Sequence, residues 1–65
     1  MFNLLTERQP YIPRKIIGSY ATLEAAIEAS RAMFPILHLE IDPDNQDCAD
    51  MITTTGAIYM IEPAQ

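Results

Sequence analysis

The segment Thr22–Phe34, TLEAAIEASRAMF, has the periodicity of an amphipathic α-helix. Its apolar and small side chains recur every three or four residues and share one stripe: Leu23, Ala26, Ile27, Ser30, Met33 and Phe34. The Thr22 hydroxyl can cap the first turn, and Pro35 disfavours helical angles at the residue before it. The sequence therefore predicts a helix that begins after Thr22 and ends at Met33 or Phe34. A helix this short is marginal alone in water, so its stripe must pack on the rest of the chain.

The remaining segments are typical of short β-strands joined by turns. Four of them combine β-branched or aromatic residues with alternating polarity: Lys15–Tyr20, Ile36–Ile41, Met51–Thr54 and Ala57–Ile61. Gly56 lies between the last two, which predicts a hairpin whose turn can use positive φ. We therefore expect an α+β fold, with one amphipathic helix packed on a small, mainly antiparallel sheet in the order β-α-β-β-β. The looser alternation of Phe2–Arg8 allows an extra N-terminal edge strand.

The alternation in the strand 36–41 assigns its side chains to two faces of the sheet. The face expected to meet the helix carries Leu37, Leu39 and Ile41. The opposite face carries Ile36, His38 and Glu40.

The last strand is apolar on both faces, whereas a single helix can cover only one face of a sheet. The second face therefore needs another cover. One candidate is the N-terminal arm, through Phe2, Tyr11 and Ile12, and the other is a second copy of the protein. We hypothesise a homodimer.

Length and composition limit the class of protein. At 65 residues the chain is expected to be a single domain, 1–65, with a possible edge strand and a proline-containing arm in 1–14 and the core in 15–62. Cys48 is the only cysteine and His38 the only histidine, so neither a disulfide framework nor a zinc site of cysteines and histidines is available. Signal-peptide features and a long apolar run are absent from the sequence, which predicts a cytoplasmic protein without membrane contact.

The charge is unevenly distributed along the chain. The formal net charge is -5, yet three of the four basic residues lie in the first fifteen residues, at Arg8, Arg14 and Lys15. The rest of the chain is acidic apart from Arg31. Direct binding to nucleic acid is disfavoured, because that affinity depends mainly on neutralising phosphates with Lys and Arg.

The run Glu40–Asp50, EIDPDNQDCAD, is the densest group of potential ligands. As a calcium loop that starts at Asp42 it has Asp47 where glycine is needed and Thr53 where a bidentate glutamate is needed. Two alternatives therefore stay open for residues 40–50, namely an irregular divalent-cation site and a solvated acidic turn that binds no ion. The acids beside Cys48 are expected to raise the pKa of its thiol, which argues against a nucleophile. We therefore predict no catalytic residues, no cofactor and no enzyme.

No stretch carries a family signature, and the plan alone is similar to that of many small phage and bacterial accessory proteins. The leading hypothesis is a non-enzymatic interaction module, a regulator or accessory protein that binds another protein of unknown identity. The alternative is an acidic inhibitor that mimics nucleic-acid phosphates, of the phage or anti-CRISPR type. The candidate interaction residues are Ile36, His38, Glu40, Asp42, Asp44, Asp47, Asp50, Tyr59 and Met60.

Overall fold

A computed structural model describes residues 1–7 and 9–64. Arg8, which the sequence assigns to the basic arm, and Gln65, which it assigns to the C-terminal tail, lie outside the described residues. The elements are β1 (Phe2–Thr6), β2 (Ile16–Tyr20), α1 (Leu23–Met33), β3 (Ile36–Ile41), β4 (Ala49–Thr53) and β5 (Ile58–Pro63). One helix on an antiparallel sheet is the predicted α+β class, with the extra N-terminal strand present.

The five strands form one sheet in the order β2-β1-β5-β4-β3, and all neighbours are antiparallel. β1 pairs with both β2 and β5, so the prediction that the N-terminal strand lies at an edge is wrong. Its consecutive residues Leu4 and Leu5 point to opposite faces of the sheet and are both buried, as expected of an interior strand. The two edges of the sheet are β2 and β3.

Helix α1 begins and ends where the sequence predicts. The Thr22 hydroxyl oxygen accepts a hydrogen bond of 3.0 Å from the Ala25 amide, and Phe34 follows the last helical residue in an extended conformation. The buried Ser30 hydroxyl donates to the Ala26 carbonyl at 2.7 Å, which satisfies a polar group within the apolar stripe. The helix packs on β1, β2 and β5.

The core lies between the helix and the sheet. Its fully or almost fully buried apolar residues are Leu4, Ala26, Ala49, Met51 and Ile61. The Phe34 ring, just beyond the helix, stacks on the Tyr59 ring with centroids 4.1 Å apart and planes 15° from parallel. Such a contact adds specific geometry to the apolar burial, and it fixes the end of the helix against β5.

The β4–β5 hairpin confirms the predicted turn. Gly56 has a φ of 89°, a left-handed conformation that glycine adopts without a steric cost. The Thr53 hydroxyl, buried beneath this turn, accepts from the Ala57 amide at 3.1 Å. The hairpin register fixes which side chains of β4 and β5 face away from the helix.

A bulge in β3 changes the faces that simple alternation predicts. Ile36 is opposite Thr53 and His38 is opposite Ile52, so Leu37 has no directly opposed residue on β4. Ile36 and Leu39 both pack against the core, whereas Leu37 is 69% exposed. The predicted core face of Leu37, Leu39 and Ile41 is therefore wrong for Leu37, and Ile41 is also 44% exposed.

Candidate binding groove

The sheet face opposite the helix carries a continuous set of side chains from β3, β4 and β5. In an antiparallel ladder, directly opposed residues point to the same face. His38 is opposite Ile52, and Ile52 is opposite Ile58. Two residues further along each strand, Asp50 is opposite both Glu40 and Met60. Side chains alternate along each strand, so the core residues point toward the helix and the opposed residues named above point to the open face.

These side chains form a groove of about 410 Å³. The residues that line it are Glu7, His38, Glu40, Asp50, Ile52, Ile58 and Met60. The lining combines apolar side chains from the middle of the sheet with carboxylates from three different segments. Of the described residues that line the groove, none is lysine or arginine. We call this surface the acidic groove.

Glu40 and Asp50 give the acidic groove an unfavourable pair. They are directly opposite each other on β3 and β4, and both are exposed. Like charges that face each other directly across two strands are destabilising. The fold tolerates this cost at a place where a cationic group would relieve it.

Arg14 covers the neighbouring part of the same sheet face. Its guanidinium donates to both carboxylate oxygens of Glu62, with Nη2–Oε2 at 2.8 Å and Nη1–Oε1 at 3.1 Å. Nε donates to the Thr6 carbonyl at 3.3 Å, and Nη2 lies 3.5 Å from the Met60 sulfur. The bidentate geometry holds the side chain across β1 and β5, where Leu5 is only 9% exposed.

The predicted cover through Phe2, Tyr11 and Ile12 is therefore wrong. Phe2 packs on the helix side, against the core, because it alternates in step with Leu4. Tyr11 is 97% exposed and Ile12 is 61% exposed. The arm covers part of the second face, but it does so with the long apolar stem and charged head of Arg14.

The acidic turn after β3 uses its oxygens for local structure. The Asp42 carboxylate accepts from the Asp44 amide at 2.8 Å, and the Asn45 side chain accepts from the Asp47 amide at 3.1 Å. The Cys48 carbonyl accepts from the Asp42 amide at 3.0 Å and closes the turn. Within 1–7 and 9–64, no three side chains of His, Cys, Asp or Glu are grouped so that they could hold a metal ion.

The Cys48 thiol sits at the end of this turn. Its partial burial, followed by the negative charges of Glu62, Asp42, Asp47 and Asp50, raises its pKa above the ordinary value of a cysteine. The predicted direction of the shift is confirmed, although burial has the largest effect. A raised pKa keeps the thiol protonated at neutral pH and lowers its reactivity as a nucleophile.

The structure separates the predicted interaction residues into three groups. Those in the acidic groove are His38, Glu40, Asp50 and Met60. Those in the acidic turn are Asp42, Asp44 and Asp47. Ile36 and Tyr59 instead pack against the core on the helix side and do not share a face with His38.

Three lining residues were not among the predicted ones, namely Glu7, Ile52 and Ile58. Alternation along the two hairpin strands could have identified both isoleucines. Each is next in the chain to a residue that faces the core, so each must face the opposite side of the sheet. Glu7 could not be found in this way. It reaches the groove because β1 pairs with β5, and this long-range pairing has no local sequence signal.

Comparisons with models of protein families, with curated proteins and with solved structures give no match for this chain. In the described part of the chain, no helix has both the length and the apolar character needed to cross a membrane.

Proposed function

We propose that the protein is a non-enzymatic interaction module, a regulator or accessory protein that binds a basic, partly apolar segment of another protein in the acidic groove. The observation that supports this is the composition of the lining. Ile52, Ile58 and Met60 are apolar and accessible from one side, and the carboxylates of Glu40 and Asp50 stand beside them.

The size of the groove suits a short segment. A volume of about 410 Å³ is within the range of about 300–1,000 Å³ that is typical of sites for small ligands, so it accommodates a few side chains of a partner. Burying the apolar lining supplies affinity, at about 25 cal/mol per Å² of apolar surface before the costs of association. The carboxylates supply orientation and attract a cationic partner over a distance.

A basic segment also explains the opposed acids. A lysine or arginine placed between Glu40 and Asp50 would replace a repulsion by two attractions. The net charge of -5 extends the same preference to the approach of the partner, because the field of the whole chain attracts cations.

The test is binding of displayed peptides that contain both lysine or arginine and large apolar residues, followed by measurement of Kd for the selected peptide by fluorescence anisotropy. Ile52→Ser changes a groove residue that is already 41% exposed, so the fold should persist. We expect Ile52→Ser and Glu40→Lys each to weaken binding about tenfold or more, the size of effect that marks an interface hot spot.

The matched controls change the same residue types outside the acidic groove. Ile16→Ser alters an isoleucine that is 56% exposed on β2, and Asp44→Lys alters an acid in the turn. Both should leave Kd within about twofold. If Asp44→Lys weakens binding more than Glu40→Lys, and Ile52→Ser has no effect, the acidic turn is the binding surface and phosphate mimicry becomes the better explanation.

A further inference from the structure

β3 is an edge strand of six residues, and over the described residues it pairs with β4 alone. The outer side of an edge strand presents N–H and C=O groups that can pair with another strand. β3 also carries two exposed apolar residues, Leu37 at 69% and Ile41 at 44%. An exposed strand with this composition is a template for strand pairing unless something covers it.

We propose that the cover is a second copy of the chain, with β3 paired antiparallel to its own copy about a twofold axis at Leu39. Two five-stranded sheets then join into one continuous sheet. The dimer is isologous, because each β3 offers the same surface to the other. This proposal concerns the edge of the sheet. Its contact includes His38 and Glu40, which also line the acidic groove, whereas Leu37 belongs to the edge alone and Ile52 to the groove alone.

Residues 37–41 of β3, LHLEI, are self-complementary in this register, whereas Ile36 lies opposite Asp42, which follows the strand. Leu39 lies opposite Leu39 of the second copy, His38 lies opposite Glu40, and Leu37 lies opposite Ile41. Within residues 37–41, the His38–Glu40 pairs bring an imidazole to a carboxylate, and the other pairs are apolar. Such cross-strand pairs are the units that stabilise an antiparallel sheet.

The two neighbouring registers are worse. A twofold axis perpendicular to the sheet keeps both helices on one side, so the register can shift only by steps that preserve the faces of the side chains. An axis at Glu40 places Glu40 opposite its own copy, which is a repulsive pair. An axis at His38 places His38 opposite its own copy and Glu40 opposite Ile36, which loses the imidazole–carboxylate contact.

The bulge in β3 is compatible with the proposed axis. The ladder to β4 is regular from His38 to Ile41, and the irregularity lies before it, between Ile36 and His38. His38, Leu39 and Glu40 are inside the regular part, and Leu37 lies at the bulge, at the end of the proposed contact. The other edge strand, β2, lacks these features, since it contains Gly18, which weakens a strand, and has neither an acid nor a base that could form a charged pair with a second copy.

The first experiment is the mass of the full chain by sedimentation or light scattering over a hundredfold range of concentration, compared with two variants. Leu37→Lys places a charge opposite an apolar residue at both ends of the proposed contact. We expect the wild-type chain to have twice the mass of one chain at high concentration, and Leu37→Lys to weaken the dimer at least tenfold. The matched control Ile16→Lys, the same kind of change on the β2 edge, should leave the mass unchanged.

A charge exchange tests the register. His38→Glu places two acids opposite each other and should dissociate the dimer, and adding Glu40→Lys to it should restore the dimer by recreating opposite charges. A wild-type mass of one chain at high micromolar concentration overturns the proposal. So does a dimer that Leu37→Lys does not weaken more than Ile16→Lys does, or a double variant that is no more dimeric than His38→Glu alone.

The same variants separate this proposal from that of groove binding. Leu37→Lys should remain folded by circular dichroism, since Leu37 is mostly exposed, and should still bind the selected peptide. Ile52→Ser should remain dimeric while it loses the peptide. Either proposal can therefore fail while the other stands.

Discussion

The two faces of this sheet use the same strands for different purposes. On the helix side, Met51 and Ile61 have no exposed surface. On the open side their chain neighbours Ile52 and Met60 line the acidic groove, and Ile52 is 41% exposed. All four side chains are apolar, so the difference lies in what covers them. Burial in the core on the helix side stabilises the fold, whereas the uncovered residues retain apolar surface that a partner can bury.

The open face is itself divided by the contacts of the N-terminal arm. Arg14 lies across β1 and β5 and pairs with Glu62, so this part is closed by the chain's own residues. The part formed by β3, β4 and β5 has no such cover among the described residues. A single chain thus contains a face covered by a helix, a strip covered by one arginine, and an open groove.

The largest expected difference is between core and groove residues on β4. Met51→Ala removes a fully buried side chain and leaves a cavity, so we expect it to lower the free energy of unfolding by about 3 kcal/mol. Ile52→Ala, at the next residue, should lower it by less than about 1 kcal/mol, because much of that side chain is already in water. Urea denaturation of both variants gives the comparison.

Equal losses of stability for Met51→Ala and Ile52→Ala would contradict the assignment of the two faces. A second core residue serves as a check. Ile61→Ala, fully buried on β5, should behave like Met51→Ala.

A smaller effect is expected where the arm covers the open face. Arg14→Ala removes a bidentate, partly buried ion pair and leaves Glu62 without its partner, which should cost about 1–2 kcal/mol of unfolding free energy. Arg14→Lys should recover only part of this, because a lysine cannot donate in the same fork geometry. The measurement is again the urea midpoint.

Lys15→Ala is the matched control for this arm, since Lys15 is exposed and its side chain makes no hydrogen bond or ion pair with the described residues. It should change stability by less than about 0.5 kcal/mol. If Arg14→Ala were as mild as Lys15→Ala, the arm would not be a cover of the sheet.

The sequence was sufficient for the local elements and insufficient for how they meet. The helix was predicted from its stripe, its Thr22 cap and Pro35, and the hairpin turn from Gly56, because each signal is contained in a few consecutive residues. The interior position of β1 was missed. It depends on pairing between the first and last strands of the chain, which local patterns do not encode.

The part of the candidate site that depends on local alternation was predicted, and the part that depends on strand pairing was not. His38 and Glu40 were identified from the alternation of β3, and Met60 from that of β5. The bulge at Leu37 was not foreseen, because it is a property of the pairing with β4, and it sends Ile36 to the core side. Arg14 was known only as part of a basic arm, since its contact with Glu62 spans most of the chain.

The smallest expected change in stability is at Asp50, and there the effects on folding and on binding should have opposite signs. Asp50→Asn removes one member of the opposed pair Glu40–Asp50, so the free energy of unfolding should rise by about 0.5 kcal/mol. The same change should weaken binding of the basic peptide several-fold, because the acidic groove loses a carboxylate. Asp44→Asn, which removes an acid from the exposed turn, should do neither. A loss of stability in Asp50→Asn would mean that the Asp50 carboxylate stabilises the fold. That result would contradict the assignment of Asp50 to an uncovered face of the sheet.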